Sequence, residues 1–409
     1  MSKKVVVIGG GPAGMMASIE ASEKFDTILL EKNEKLGKKM YISGKGRCNV
    51  TNAKDISEFF DYIPGNPNFL YSALYSFTNQ NTIDFFNKLN VKLKVERGDR
   101  VFPVSDKSSD IIKAMEQKIN ENKVNVILNS HVKKLICRNN HIDSLQLWNG
   151  KNIKGDYFIL ATGGKSYPQT GSSGEGYNMA ESVGHTVTEI NPALVPIEVQ
   201  EEWIRDLQGL SLKNVTLDII DSNKKILYSE FGEMLFTHFG ISGPIVLSSS
   251  RVISKFEELW VSIDLKPALS NDELDKRIQK DFNKYCNKDF KNSLDDLLPK
   301  KIIPIVIYRC HINPDKKVNS ITKLERHNLV DCIKKFTLSI KGLRPIEEAI
   351  VTSGGISVKE IDPSTMQSKL IDNLYFAGEI IDVDGYTGGF NIQIALSTGF
   401  SAGNGVKRI

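Results

Sequence analysis

The sequence has few cysteines, and none of them lie close together. Five cysteines are scattered singly along 409 residues, without a C-x-x-C pattern and without histidines at the spacing of a zinc site. We therefore expect neither a disulfide scaffold nor a metal site. The lack of a C-x-x-C pair also argues against a dithiol-relay reductase.

Long apolar runs are also missing. No segment reaches ~18 uninterrupted apolar residues, the length that a membrane-spanning helix needs. The apolar run at the start of the chain is broken by glycines and lacks the longer core of a signal peptide. We therefore predict a cytoplasmic protein without a membrane partner. In that compartment the Asn49-Val50-Thr51 triplet has no meaning as a glycosylation acceptor.

Net charge is low but uneven. The formal charge is +4, yet the segment from Lys266 to Arg344 holds 18 Lys and Arg against 10 Asp and Glu. A solvated helical surface explains this excess. The alternative is a patch that binds nucleic acid or an acidic partner, although no recognised nucleic-acid motif accompanies it.

The N-terminal part predicts a β-α-β unit. The apolar run from Lys3 to Gly10 suits a strand buried on both faces of a parallel sheet, and a helical stretch and the strand "DTILLEK" follow it. We assign further strands to the same layer, and the last of them leads into a helix over 391–403. These strands lie at 124–129, 141–148, 157–162 and 373–379.

The middle of the chain changes character. Alternating stretches such as "SLKNVTLDII" predict an antiparallel barrel or sandwich, and a Lys-rich helical stretch with Ser270 as its N-cap follows. A chain of this length is expected to form two or three domains. We predict an α/β protein whose dinucleotide-binding domain is split between 1–191 and 353–409, with an inserted β domain at 192–268 and 337–352 and a helical insertion at 269–336.

The first glycines form the pattern G-x-G-x-x-G at Gly9, Gly11 and Gly14. The pattern follows a strand and opens a helix, and an acid, Glu31, ends the next strand, which is the context that dinucleotide binding requires. Gly9 permits the tight turn, Gly11 lets the backbone approach a pyrophosphate, and Gly14 lets the helix meet the sheet. The helix N-terminus then faces the phosphates, and Glu31 can accept a hydrogen bond from a ribose.

Two further Gly-marked strand ends favour FAD over NAD as the resident cofactor. They are "ATGG" at 161–164 and "FAGE" at 376–379, and the second leads into the last helix. This arrangement resembles flavoproteins with two dinucleotide folds, in which the last helix points its N-terminus at the flavin. No second G-x-G-x-x-G is present, so we expect no dedicated nicotinamide domain.

Glycine-rich motifs occur along nearly the whole chain. They include "VIGGGPAGMMA", "GKKMYISGKGRCNVTN", "ATGGKSYPQTGSSGEGY", "EMLFTHFGISGP" and "LYFAGEIIDVDGYTGGFNIQIALSTG". These motifs resemble those of the bacterial BaiN-like flavoproteins. Members of that family are described as NAD(P)/FAD-dependent oxidoreductases, and some as aminoacetone oxidases. The resemblance implies a Rossmann-like FAD domain split in sequence, with an inserted β-barrel and a small helical insertion. It implies little about the substrate.

The strip "SGKGRCNVTN", which starts at Ser43, is interpreted as a wrap around the cofactor. Its glycines permit close backbone approach, and Lys45 and Arg47 can offset phosphate or flavin charge. The expected FAD-binding residues are Gly9, Gly11, Pro12, Ala13, Gly14, Glu31, Lys32, Gly44, Gly46, Arg47, Cys48, Asn49, Val132, Ala161, Thr162, Gly163, Gly378, Glu379, Gly389, Phe390, Asn391 and Ile392.

No catalytic residue is fixed by the sequence. His238 lies in a Gly-rich motif of the inserted part, and Tyr167, Asp384 and Tyr386 neighbour the Gly-marked strand ends, so His238 and Tyr386 are the catalytic candidates.

Two classes of function remain open. The leading hypothesis is an FAD-dependent oxidoreductase that exchanges hydride with a small organic molecule, with NADH, NADPH or oxygen as the other redox partner. The alternative is an RNA-associated flavoprotein that uses the basic helical insertion to contact nucleic acid.

Overall fold

The computed structural model describes residues 3–253 and 258–408, which fall into two compact units. The first unit joins the residues up to Ala193 with those from Ile346 onward, and the second is Leu194–Pro345. The first unit is therefore built from both ends of the chain.

The strands are numbered in chain order. They are β1 Lys4–Ile8, β2 Asp26–Leu30, β3 Thr51–Asn52, β4 Leu93–Glu96, β5 Arg100–Pro103, β6 Asn125–Ile127, β7 Val132–Arg138, β8 His141–Leu147, β9 Asn152–Lys154, β10 Tyr157–Leu160, β11 Asn191–Ala193, β12 Ile197–Val199, β13 Ser211–Asp221, β14 Ile226–Phe236, β15 Gly240–Ser242, β16 Leu259–Asp264, β17 Phe336–Leu343, β18 Val351–Ser353 and β19 Leu374–Phe376.

The α-helices are numbered in the same way. They are α1 Pro12–Ala21, α2 Lys38–Ile42, α3 Tyr71–Ser76, α4 Asn79–Lys88, α5 Ser108–Glu121, α6 Glu175–Glu181, α7 Pro244–Ile253, α8 Asn271–Lys284, α9 Ile303–Arg309, α10 Lys323–Lys334 and α11 Phe390–Lys407.

A parallel five-stranded sheet, in the order β19-β10-β1-β2-β6, is the centre of the first unit. Residues Val5–Ile8 of β1 are at most 4% exposed, as expected for a strand covered on both faces. The carboxyl ends of β1, β10 and β19 meet at one edge, because the strands run in the same direction. The Gly-marked strand ends predicted from the sequence therefore lie side by side.

One strand assignment was wrong. The segment 141–148, expected in the parallel layer, forms β8 of a separate antiparallel sheet with β7 and β9. Exposed and buried residues largely alternate along β8, which is the pattern of a strand with one solvated face. The continuous apolar runs of β1 and β10 show the pattern that the central layer requires.

Helices α1 and α11 pack together beside this sheet. A Cβ atom at Gly399 of α11 would lie 2.3 Å from the carbonyl oxygen of Ala13 in α1, so only glycine allows this approach. The contact joins the first helix of the chain to the last.

The second unit contains a closed antiparallel barrel in the order β12-β15-β14-β13-β16-β17. In β13 the buried residues Val215, Leu217 and Ile219 alternate with more exposed ones, which fills the barrel with every second side chain. Helices α8 to α10 lie between β16 and β17 in the chain. As predicted, Ser270 caps α8, in a capping box with Glu273.

The split Rossmann-type domain and the inserted barrel confirm the predicted fold class. Within residues 3–253 and 258–408, no helix is both long and apolar enough to cross a lipid bilayer. In the same residues, no group of three or more His, Cys, Asp or Glu side chains could hold a metal ion.

Candidate functional site

The Gly-rich turn after β1 is tightly packed at Gly9 and Gly14 and open at Gly11. A Cβ atom at Gly9 would lie 2.4 Å from the Ala161 carbonyl oxygen, and one at Gly14 would lie 1.9 Å from the Gly9 carbonyl oxygen, so both positions need glycine for packing. Gly11 differs, because no atom lies within 4 Å of the position its Cβ would take. The backbone of Gly11 therefore faces open space at the start of α1.

Glu31 ends β2 with a buried carboxylate. Its Oε2 accepts a hydrogen bond from the Gly10 backbone N–H at 2.7 Å, and its Oε1 accepts from the Asn33 backbone and side chain at 2.8 and 2.7 Å. These contacts hold the side chain in one position against the Gly-rich turn. A carboxylate has further lone pairs, so Glu31 can also accept from a ligand hydroxyl.

A cavity of about 470 Å³ opens beside this turn, and every residue that lines it belongs to the first unit. This volume is in the range of small-molecule and cofactor sites. The lining includes many residues predicted from the sequence: Gly9, Gly11, Pro12, Ala13, Glu31, Lys32, Gly44, Val132, Ala161, Thr162, Gly163, Gly378, Glu379, Asn391 and Ile392. The predicted residues outside the lining are Gly14, Gly46, Arg47, Cys48, Asn49, Gly389 and Phe390.

The strip after α2 turns through the left-handed region. Gly44, Lys45 and Gly46 have φ values of 56°, 58° and 84°, and Lys45 bears a steric cost there that glycine does not. Ser43, Gly44 and Lys45 line the cavity. Cys48 is fully buried, and this burial raises the pKa of its thiol to about 12. At neutral pH the Cys48 thiol is therefore protonated and unreactive.

Arg47 lies in a different environment from the one expected from the sequence. Its guanidinium forms ion pairs with Glu96 and Asp106 and lies 4.1 Å from the centre of the Phe102 ring. These ion pairs neutralise the positive charge that we expected to face the cofactor. A role for Arg47 in FAD binding stays a prediction.

The two catalytic candidates do not line the cavity. His238 belongs to the second unit, is exposed, and contacts the ring of Phe239 at 5.0 Å between centroids. Tyr386 is partly buried, and its backbone N–H donates to the Tyr62 carbonyl at 2.8 Å. Catalytic roles for both residues stay predictions.

The sequence did not predict a polar cluster that includes the cavity-lining residues Lys39 and Glu379. Lys39 Nζ donates to Ser166 Oγ at 2.5 Å and to Glu379 Oε2 at 2.9 Å, while Glu379 Oε1 accepts from Ser166 Oγ and from the Thr352 backbone N–H. Its members come from four separate segments of the chain. No local pattern could have shown that they meet, although Glu379 is among the FAD-binding residues predicted from the sequence and Lys39 lies four residues before the strip that starts at Ser43.

Two observations test whether a dinucleotide cofactor fits this cavity. A side chain at Gly11 would point into space that a pyrophosphate could use, next to the N-terminus of α1. Gly9, Ala161 and Ala377, the first residues after β1, β10 and β19, all line the cavity. Both features fit a polar ligand that passes the ends of β1 and β10.

Residues 3–405 match the family described as HI0933-like protein Rossmann domain. The chain belongs to this HI0933-like family. The match confirms the resemblance to BaiN-like flavoproteins and supports FAD as the cofactor. The protein is accordingly a member of an FAD-dependent oxidoreductase family.

Two curated relatives match nearly end to end. The HI0933-like chain is 31% identical over 410 residues to a "3-dehydro-bile acid delta(4,6)-reductase" of Clostridium scindens, covering 98% of each protein. It is 31% identical over 397 residues to a "Ribosomal RNA dihydrouridine synthase" of Escherichia coli, covering 97% of this chain and 96% of that protein.

Among solved structures, the fold is similar to a 3-ketosteroid delta1-dehydrogenase from Sterolibacterium denitrificans. The TM-score is 0.52 with 13% sequence identity, and 98% of this chain and 99% of that chain are covered. At this identity the likeness supports the fold of the HI0933-like chain alone.

Proposed function

We propose that the protein is an FAD-dependent reductase that saturates a carbon–carbon double bond conjugated with a carbonyl group. The names of its relatives support this proposal, because a delta(4,6)-reductase of a 3-dehydro-bile acid and a dihydrouridine synthase act on unrelated molecules through the same bond chemistry. In each case two hydrogens are added across a double bond next to a carbonyl. That shared chemistry is the observation that carries the proposal.

The residues of the cavity have distinct tasks in such a reaction. When bound, FAD supplies the hydride chemistry. The N-terminus of α1 and the Gly11 backbone would hold the anionic pyrophosphate, and Glu31 would accept a hydrogen bond from the ribose. Apolar lining residues such as Met40, Ile42 and Ile392 exclude water from the rest of the cavity.

Tyr167 is the residue that we propose to hold a proton for the substrate. It lines the cavity, and burial, followed by the negative charge of Glu348, raises the pKa of its hydroxyl. A tyrosine hydroxyl keeps its proton at neutral pH even without this shift, so the hydroxyl can donate a hydrogen bond to a carbonyl oxygen. Such a bond would draw electrons toward the oxygen and make the conjugated double bond a better hydride acceptor.

The experiment has two stages under anaerobic conditions. NADH and NADPH are first tested separately for bleaching of the bound flavin, which identifies the electron source. The reduced enzyme is then mixed with a 3-keto-4,6-diene steroid or with ribosomal RNA, and the product is analysed by mass spectrometry. A gain of two hydrogens in one of them supports the proposal. A reduced enzyme that transfers no hydrogen to either probe contradicts it.

A uridine in RNA is the second candidate substrate, and a charge pattern favours it. Lys276 and Lys280 on α8 and Lys323 on α10 form no salt bridge with any of the residues that the structure describes. Binding to ribosomal RNA should weaken steeply with salt, and the triple substitution of these lysines by Gln should reduce the salt slope. Absence of binding at low salt removes this candidate.

A further inference from the structure

Two segments of the first unit line the cavity and are joined to each other by side chains. The first is 31–45, which runs from the end of β2 through α2, and the second is 166–175, which leads into α6. No strand pairing connects them within the part of the chain that the structure describes. Side-chain contacts are therefore the main direct links between these two walls.

The links occur at three points along the second segment. At its start, Ser166 Oγ accepts from Lys39 Nζ at 2.5 Å. In its middle, the Thr170 carbonyl accepts from Asn33 Nδ2 at 3.1 Å. At its end, Ser173 Oγ accepts from Lys32 Nζ at 2.6 Å. All three donors belong to the segment 31–45, so hydrogen bonds join the two walls along their length.

Glu175 strengthens the last of these links. Its Oε2 accepts from Lys32 Nζ at 3.0 Å and contacts His131 Nε2 at 2.8 Å, so one carboxylate joins three separate segments. Burial opposes the charged form of Glu175, yet the hydrogen bonds from Lys32 and His131 hold its pKa below the ordinary value. The carboxylate is 41% exposed, and ion pairs at this exposure are weak enough to open.

Two glycines set the path of the second segment. Gly171 and Gly174 have φ values of 110° and 81°, which favour glycine, and they flank Ser172 and Ser173. A Cβ atom at Gly171 would lie 2.5 Å from Asn33 Nδ2, so the segment rests directly on the first wall.

We propose that 166–175 is a strap that closes over bound FAD and limits its release, with the Lys32–Glu175–His131 contact as the latch. The inference rests on FAD as the occupant of the cavity. FAD held between the two walls would leave more readily once the contacts between them open. Loss of the latch should therefore speed FAD release while the protein stays folded.

Glu175→Gln tests the latch, and Glu34→Gln is its matched control. Glu34 pairs with Lys38 at 3.2 Å, but both belong to the same wall, so this pair does not fasten the strap. FAD release is followed by the rise of flavin fluorescence after dilution of each purified holoenzyme. We expect release to be about two- to fivefold faster for Glu175→Gln and unchanged for Glu34→Gln.

Two further measurements distinguish loss of the latch from a general loss of stability. Added salt should speed release from the wild type more than from Glu175→Gln, because only the wild type retains the ion pair. Lys32→Met combined with Glu175→Gln should speed FAD release by less than the product of the two single effects if the two residues act in one latch. If Glu175→Gln and Glu34→Gln are both folded by circular dichroism and release FAD at the same rate, the strap proposal is wrong. A wild type that purifies without FAD and takes up none instead overturns the cofactor assignment.

Discussion

Lys39 and Glu379 form an ion pair across 340 positions of the sequence, with 2.9 Å between Lys39 Nζ and Glu379 Oε2. The pair fastens the C-terminal part of the chain to the N-terminal part on the wall of the cavity. The pair adds to the pairing of β19 with β10 and to the packing of α1 on α11, which also join the two ends of the chain.

Replacing Glu379 by Gln should weaken this junction. Both side chains are only about a quarter exposed, so loss of the carboxylate leaves Lys39 without its ionic partner in a poorly solvated place. We expect a loss of about 1 kcal/mol in the free energy of unfolding and weaker FAD binding. Chemical denaturation and FAD titration of the apoprotein measure the two effects. Unchanged values for both would show that the pair contributes nothing.

Gly11→Leu should remove FAD without unfolding the protein. Gly11 has φ −78° and ψ −177°, which any residue can adopt, and its Cβ would meet no protein atom. The new side chain would fill the space assigned to the pyrophosphate. The ratio of absorbance at 450 nm to that at 280 nm should fall to that of apoprotein. Gly342→Leu, also in open space but on the barrel, is the control, and full FAD in Gly11→Leu contradicts the placement.

Cys48→Ser should keep FAD and most turnover. The thiol is buried and its pKa is raised to about 12, so it cannot act as a thiolate at neutral pH. Iodoacetamide should modify the exposed Cys286 of the native protein and leave Cys48 intact, as mass spectrometry can check. If Cys48→Ser retains FAD and loses turnover, the thiol is catalytic.

The buried His185 should make stability depend on pH. Ser368 Oγ accepts from the backbone N–H groups of Leu370 and Ile371, so its proton goes to His185 Nε2 at 2.8 Å, and Nδ1–H donates to Glu360. Burial lowers the pKa of His185, although the bond to Glu360 partly offsets this effect.

Below pH ~6.5 the unfolded chain therefore binds a proton at this histidine before the folded protein does. The free energy of unfolding should fall between pH ~7 and ~5.5, by at most about 1.4 kcal/mol per pH unit from this group. Urea unfolding at several pH values measures the slope. His185→Gln should have a shallower slope, and equal slopes would remove His185 as the cause.

Local patterns predicted much of the fold. The Gly-rich turn, the acid after β2 and the apolar runs of β1 and β10 are properties of short stretches, because strand burial and turn geometry are decided within a few residues. The prediction for β8 was wrong because its alternating residues were assigned to a strand of the central sheet. A single stretch of sequence does not show which strand it pairs with.

The remaining site residues depend on contacts between distant segments. Lys39 meets Glu379, and Lys32 meets Glu175, through the topology of the sheet and its loops, and neither pair follows a sequence motif. Arg47 shows the converse case. Its position beside glycines predicted a contact with the cofactor. Its guanidinium instead forms ion pairs with Glu96 and Asp106, which are distant in the sequence.

The proposal that the protein reduces conjugated double bonds is tested most directly by anaerobic rapid mixing. The holoenzyme is reduced with one equivalent of dithionite and mixed with a 3-keto-4,6-diene steroid, with ribosomal RNA, or with the saturated 3-ketosteroid as a control. We predict that the flavin absorbance at 450 nm returns with one of the two unsaturated substrates and stays bleached with the saturated ketone. Flavin that stays reduced with both unsaturated substrates, while oxygen restores its colour, would contradict the account.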